Sequence, residues 1–190
     1  DDGALLTLTG LPAPALGVLS AELRFRAAAL GGEPLNRAND DVALARAHES
    51  EQRLAHWTRR HPREPRVRAA LGALALARRD YATAAGRYRE ACERSPHYAE
   101  GRLGWGVALA LDAWRTTEPW QRRALMLQAI AQFAAVDSSE PEYLPALYNR
   151  ARLLAEVGRR TESLTLARRY VAADPASAWT RRLRADLLAD

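Results

Sequence analysis

Apolar residues recur at three- and four-residue intervals along most of this chain, and clusters of proline, glycine and charged residues interrupt them. Leu16, Leu19, Leu23, Ala27 and Leu30 form one stripe and predict a helix from Ala13 to Leu30. Gly31-Gly32-Glu33-Pro34 breaks it, and a second long helix is expected from Asp40 to Arg60. Asn39 or Asp40 would cap that helix, with Val42, Leu44, Ala47, Leu54 and Trp57 facing inward. Residues 1–12 contain Leu5-Leu6-Thr7-Leu8-Thr9, which suits a short extended arm and receives no firmer assignment. The pattern divides the beginning of the chain into an arm and helix over 1–38 and a partial-repeat capping helix over 39–63.

Four prolines follow polar helix ends: Arg60-His61-Pro62, Arg94-Ser95-Pro96, Ser139-Glu140-Pro141 and Ala173-Asp174-Pro175. Their spacings are 34, 45 and 34 residues, a regular period with one extension of 11. Proline suits this place because it has no amide hydrogen to continue a helix. Three units follow, over 64–98, 99–142 and 143–175. In the first, Leu71-Gly72 lies in one helix, Arg79-Asp80-Tyr81 makes a turn, and Ala84, Tyr88 and Ala91 lie in a second helix. In the second, Trp105-Gly106 replaces Leu-Gly, and Ala129 and Phe133 repeat the second-helix spacing. The extra residues there are expected between the helices, around Asp112 to Gln121, in a longer helix pair or an ordered loop. The third has Ala146-Leu147-Tyr148-Asn149, a turn at Glu156-Val157-Gly158-Arg159, then Ser163 and Ala167 where alanine and an aromatic are expected. Tyr170, one turn on, is the candidate for the missing bulk. After Pro175, Ser177 can cap a last helix over 176–190, with Ala178-Trp179, Leu183, Leu187 and Leu188 inward as the cover of the array.

The Leu-Gly, Ala-x3-aromatic and terminal Pro pattern resembles the tetratricopeptide repeat (TPR) family, and the closing segment resembles bacterial regulatory arrays of that family. The resemblance covers about residues 39–190. It implies an all-α, right-handed superhelical solenoid of antiparallel helix pairs, with about three repeats, N-terminal helices and a C-terminal capping helix.

Composition adds limits. Nearly half the 190 residues are apolar and 27% are charged, as in a folded soluble chain. Purely apolar runs such as Ala69 to Ala77 are far shorter than the ~20 residues of a membrane span. No signal peptide opens the sequence, which starts at Asp1 without an initiator methionine and is read as a processed or excised piece. The single cysteine, Cys92, permits no internal disulfide and leaves the compartment open, cytoplasmic or, with a removed upstream anchor, periplasmic. Net charge is +5, and every basic residue is an arginine. These arginines are scattered among acids, so nucleic-acid or other acidic-partner binding through them is the lesser reading.

No catalytic motif emerges. The histidines His48, His56, His61 and His97 lack ligand spacing, so neither a metal nor another cofactor is expected. Cys92 follows Ala91 on a packing face and reads as a buried thiol, although Arg89 and Arg94 nearby would favour thiolate if it were exposed. Gly101, Gly104 and Gly106 superficially imitate a phosphate loop, but no strand precedes them and close helix packing accounts for them. The expectation is therefore a non-catalytic scaffold that binds a protein or peptide. The resemblance places the partner in a concave groove lined by first helices, which here supply Arg66, Ala69, Ala73, Leu76, Arg102, Leu103, Val107, Tyr148, Asn149 and Arg152. Ala69, Ala73 and Gly104 stand where carboxylate-clamp members of the family carry polar groups, which argues against that clamp. Trp114 and Trp120 are candidate partner anchors in the extension, or folds of that segment back onto the array. Self-association as a homo-oligomer is the third reading.

Overall fold

In a computed structural model, the described residues are 64–188 and the isolated helical residue Arg59. The arm and helix expected over 1–38, and nearly all of the helix expected over 39–63, lie outside the described residues, as do His48, Trp57 and His61. The described residues form seven α-helices: α1 (Pro65–Ala77), α2 (Tyr81–Arg94), α3 (Ala99–Arg115), α4 (Pro119–Ala134), α5 (Tyr143–Glu156), α6 (Arg160–Ala173) and α7 (Ala178–Asp186).

Local chemistry sets the helix ends. Pro65 and Pro119 occupy first turns, where a missing amide hydrogen costs nothing. The Asp80 carboxylate accepts from the Thr83 N–H at 3.2 Å, and the Ser177 hydroxyl accepts from the Thr180 N–H at 3.1 Å, capping α2 and α7. Pro96, Pro141 and Pro175 follow the ends of α2, α4 and α6. The tight turns of the outer two pairs each require one left-handed residue. Gly158 takes it between α5 and α6 (φ 84°), whereas Arg79 takes it between α1 and α2 (φ 60°).

Packing is between chain neighbours. The pairs α1/α2, α3/α4 and α5/α6 stack through α2 on α3 and α4 on α5, with α1 also touching α3, and α7 resting on α6. Aromatic knobs hold the stack. Tyr88 of α2 is wholly buried between Gly72 of α1 and Gly104 of α3, and a Cβ on either glycine would fall under 3.0 Å from its ring. Phe133 of α4 presses on Gly106 in the same way. Each buried ring contributes about 2–3 kcal/mol of apolar burial. In α6, Ala167 is buried where a ring is expected, and Tyr170 supplies the bulk one turn on, its ring centroid 5.6 Å from that of Tyr148.

The extension does not form an inserted loop. Only Thr116–Glu118 separate α3 from α4, so longer helices and the longer link over 135–142 absorb the extra residues. α3 has 17 residues and α4 has 16, against 13 and 14 in α1 and α2. Trp114 and Trp120 accordingly lie on helices, because no proline or glycine occurs between Gly106 and Pro119 to stop α3 earlier.

Candidate binding surface

The first helices α1, α3 and α5 should line the groove, and only part of their expected lining is accessible. Ala69, Ala73, Leu76, Leu103 and Val107 are buried. Leu103 and Val107 are thus core residues rather than partner contacts, since a side chain closed off on all sides has no surface to offer. Arg66 is exposed, and Arg102 and Arg152 are half-buried. Arg102 works within the array: its guanidinium donates to the Gln132 Oε1 at 2.6 Å and to the Pro96 carbonyl at 3.2 Å and 3.3 Å, and it lies over the Trp105 ring at 5.9 Å. It joins α3 to α4 and to the α2–α3 turn.

Tyr148 and Asn149 are buried as well. Tyr148 is the centre of the C-terminal cap. It meets Tyr170 edge-on and Trp179 edge-on at 5.4 Å, and the Arg152 guanidinium sits 5.9 Å from its ring. Arg152 reaches Asp186 at 4.0 Å, and Arg182 reaches the same carboxylate at 3.4 Å. This cluster fastens α5 to α6 and α7 and consumes the residues expected to meet a partner. Asn149 is wholly buried, with neither side-chain polar atom hydrogen-bonded among the described residues. Leu183 completes the inward face of α7, but Ala178 is exposed and Thr180 is buried in its place, donating from its hydroxyl to the Asp174 carbonyl at 2.5 Å.

The end of α3 is clipped on both sides. Trp114 Nε1 donates to the Glu156 carboxylate at 3.1 Å, while the Arg115 guanidinium donates to the Arg79 carbonyl at 3.1 Å and lies 5.6 Å from the Tyr81 ring centroid. Trp114, 36% exposed, therefore folds back onto the array. Trp120 does not: it is 69% exposed on the first turn of α4, and Leu127, two turns along, is 39% exposed. Leu127 was not singled out by the helical pattern. Its signal was the absence of any charge over residues 124–136, where a solvated helix normally alternates charges.

The titratable groups describe packing rather than chemistry. Burial raises the Cys92 thiol above its ordinary value, opposed by Arg102 and aided by Glu93, which disfavours a reactive thiolate. Burial, then the Glu100 carboxylate, raises the Tyr88 hydroxyl, and the same causes act on Tyr98, which donates to Glu100 at 2.9 Å. Among the described residues, no group of three or more His, Cys, Asp or Glu side chains could hold a metal ion. Nor is any described helix long and apolar enough to cross a membrane.

These helix pairs define a helical-repeat array with the tetratricopeptide-type fold. Among solved structures, the chain is similar to a thermophilic TPR protein of Thermus thermophilus, with a TM-score of 0.63 and 16% identity over 76% of each chain. No protein-family model and no curated protein matches the chain.

Proposed function

We propose that this chain is a non-catalytic scaffold that binds a protein or peptide along the accessible edge of its first helices. The observation that carries this reading is the repeat architecture itself, an extended row of helix pairs whose chemistry-bearing side chains are occupied in packing. The accessible edge comprises exposed Arg66 and half-exposed Trp105, with the Arg102 guanidinium held over the Trp105 ring. Its character is cationic and aromatic, so an acidic or amphipathic segment is the fitting ligand. A place within a larger regulatory protein belongs to the same reading.

Nucleic-acid binding is less favoured. Arg68, Arg87, Arg89, Arg152, Arg159 and Arg182 each lie within 4.0 Å of a carboxylate, which lowers the local positive potential that phosphates require.

Photo-crosslinking side chains at positions 66 and 105 would test the edge, with exposed Thr165 on α6 as the control position. A protein or peptide captured at 66 and 105, but not at 165, supports the reading. Capture at 165 alone, or recovery of nucleic acid instead of protein, refutes it.

A further inference from the structure

The three second helices carry different chemistry on their solvent sides. On α2 the exposed positions include Thr83, Arg89 and Glu93, and Arg89 and Glu93 pair at 3.6 Å. On α6 they include Thr161, Glu162, Thr165, Arg168 and Arg169. On α4 the outward stripe is Trp120, Ala124, Leu127, Ala131 and Ala134, all exposed. Their spacings of 4, 3, 4 and 3 keep them on one face, while Met126, Ala129, Ile130 and Phe133 fill the core on the other. A helix apolar on both sides normally has a second surface to meet.

We infer that α4 is a self-association face on which a second copy of this chain docks, its own α4 running antiparallel. The sizes along the stripe point to that occupant. Along the stripe, Trp120 stands at the N-terminal end, Leu127 at the centre with Ala124 between them, and the small residues Ala131 and Ala134 toward the C-terminal end. Turning one α4 end for end about Leu127 lays each Trp120 over the alanines of the other copy and sets Leu127 against Leu127. Two parallel copies would instead stack tryptophan on tryptophan and leave the alanines facing each other across a gap.

Charge complementarity favours the same orientation. Exposed Arg122 and Arg123 stand at the beginning of α4, where their guanidinium groups donate to the Thr116 and Val157 carbonyls, and Asp137 and Glu140 stand exposed just beyond its end. Glu118, at the N-cap, is the single acid at the basic end. Antiparallel pairing brings the basic end of each helix to the acidic end of the other, twice by symmetry, and sets the helix dipoles head to tail. The 16 residues of α4 provide a seam of roughly 24 Å. This surface is on the second helices and is independent of the edge proposed for partner binding.

Sedimentation analysis of the whole chain tests the inference. Reversible association to twice the 21.0 kDa monomer mass is expected. Trp120→Ala should weaken that association by about 100-fold, because both copies lose the aromatic anchor at each end of the seam. Leu127→Glu should leave a monomer of unchanged helicity, since Leu127 contributes little to the monomer core. In a mild oxidant, Leu127→Cys should cross-link two copies, whereas Trp120→Cys should not, and buried Cys92 should not take part. A chain that stays monomeric at high concentration, a dimer indifferent to Leu127→Glu, or cross-linking at 120 in preference to 127 would each overturn the inference.

Discussion

Replacing Gly104 by alanine puts a methyl group where the Tyr88 ring already lies. The new Cβ would fall less than 3.0 Å from three carbons of that ring. The ring has little room to retreat, because it is wholly buried and a Cβ on Gly72 would already lie 2.9 Å from its opposite edge. Overpacking at such a site costs about 1–3 kcal/mol, and the rigid, doubly pinned ring places this case at the upper end. Helix propensity works the other way and returns about 1 kcal/mol on changing glycine to alanine. The net result is destabilisation of about 1–2 kcal/mol, a fall in Tm of roughly 2–8 °C for a chain of this size. Gly86 on α2 supplies the control, since a Cβ there meets nothing within 4 Å. Gly86→Ala should therefore keep the whole propensity gain and stabilise by about 1 kcal/mol. Thermal and urea unfolding followed by far-ultraviolet circular dichroism separate the two signs. A Gly104→Ala chain as stable as the parent, or more so, would refute the account of Tyr88 as a knob seated on glycine.

Three further outcomes are expected. Gly158→Ala should cost about 1 kcal/mol in the same unfolding assay, because φ of 84° is unfavourable for a residue with a Cβ, and Arg79→Gly at the matching turn should raise stability. Tyr88→Phe should be neutral or stabilising by up to ~1 kcal/mol, since the buried hydroxyl has no hydrogen-bond partner among the described residues, whereas Tyr148→Ala should cost about 3–5 kcal/mol as the cap loses its centre. Stability should decline as pH rises above 9.0, the ordinary thiol value, and further above 10.0, the ordinary phenol value. Burial holds Cys92, Tyr88, Tyr98, Tyr148 and Tyr170 above their unfolded values, so their protonated forms favour the fold below those values and the contribution is lost as pH climbs toward the folded ones. Ultraviolet titration should accordingly find Tyr88 and Tyr98 un-ionised until the chain unfolds.

Much of the fold was legible because it depends on short-range rules. Prolines at 34-residue spacing, small residues at close helix contacts and the Ser177 cap each act within a turn or between adjacent helices, where sequence distance and spatial distance nearly coincide. Tyr170 as the substitute for a missing ring followed from helical periodicity in the same way. The extension was legible in size but not in form, since the same 11 residues lengthen helices or make a loop with little difference in pattern.

The expected groove fared differently. Leu103, Val107, Tyr148 and Asn149 fall at positions that a repeat pattern assigns to the inner face, and the pattern contains no information on how closely neighbouring elements approach that face. Burial is a sum over all surrounding elements, so it was decided only when α5, α6 and α7 closed around Tyr148, and when Arg102 reached Gln132, 30 residues along the chain. Composition also left Trp114 and Trp120 equivalent. Tertiary structure separated them, because Glu156 lies within hydrogen-bond reach of Trp114, while Trp120 projects from the outer side of α4. Over the described residues, the sequence by itself determined the helix pairs, the turns at Arg79 and Gly158 and the small residues that let helices approach closely. Only the packed array decided which of the remaining side chains face solvent, because exposure depends on residues distant in sequence that converge in space.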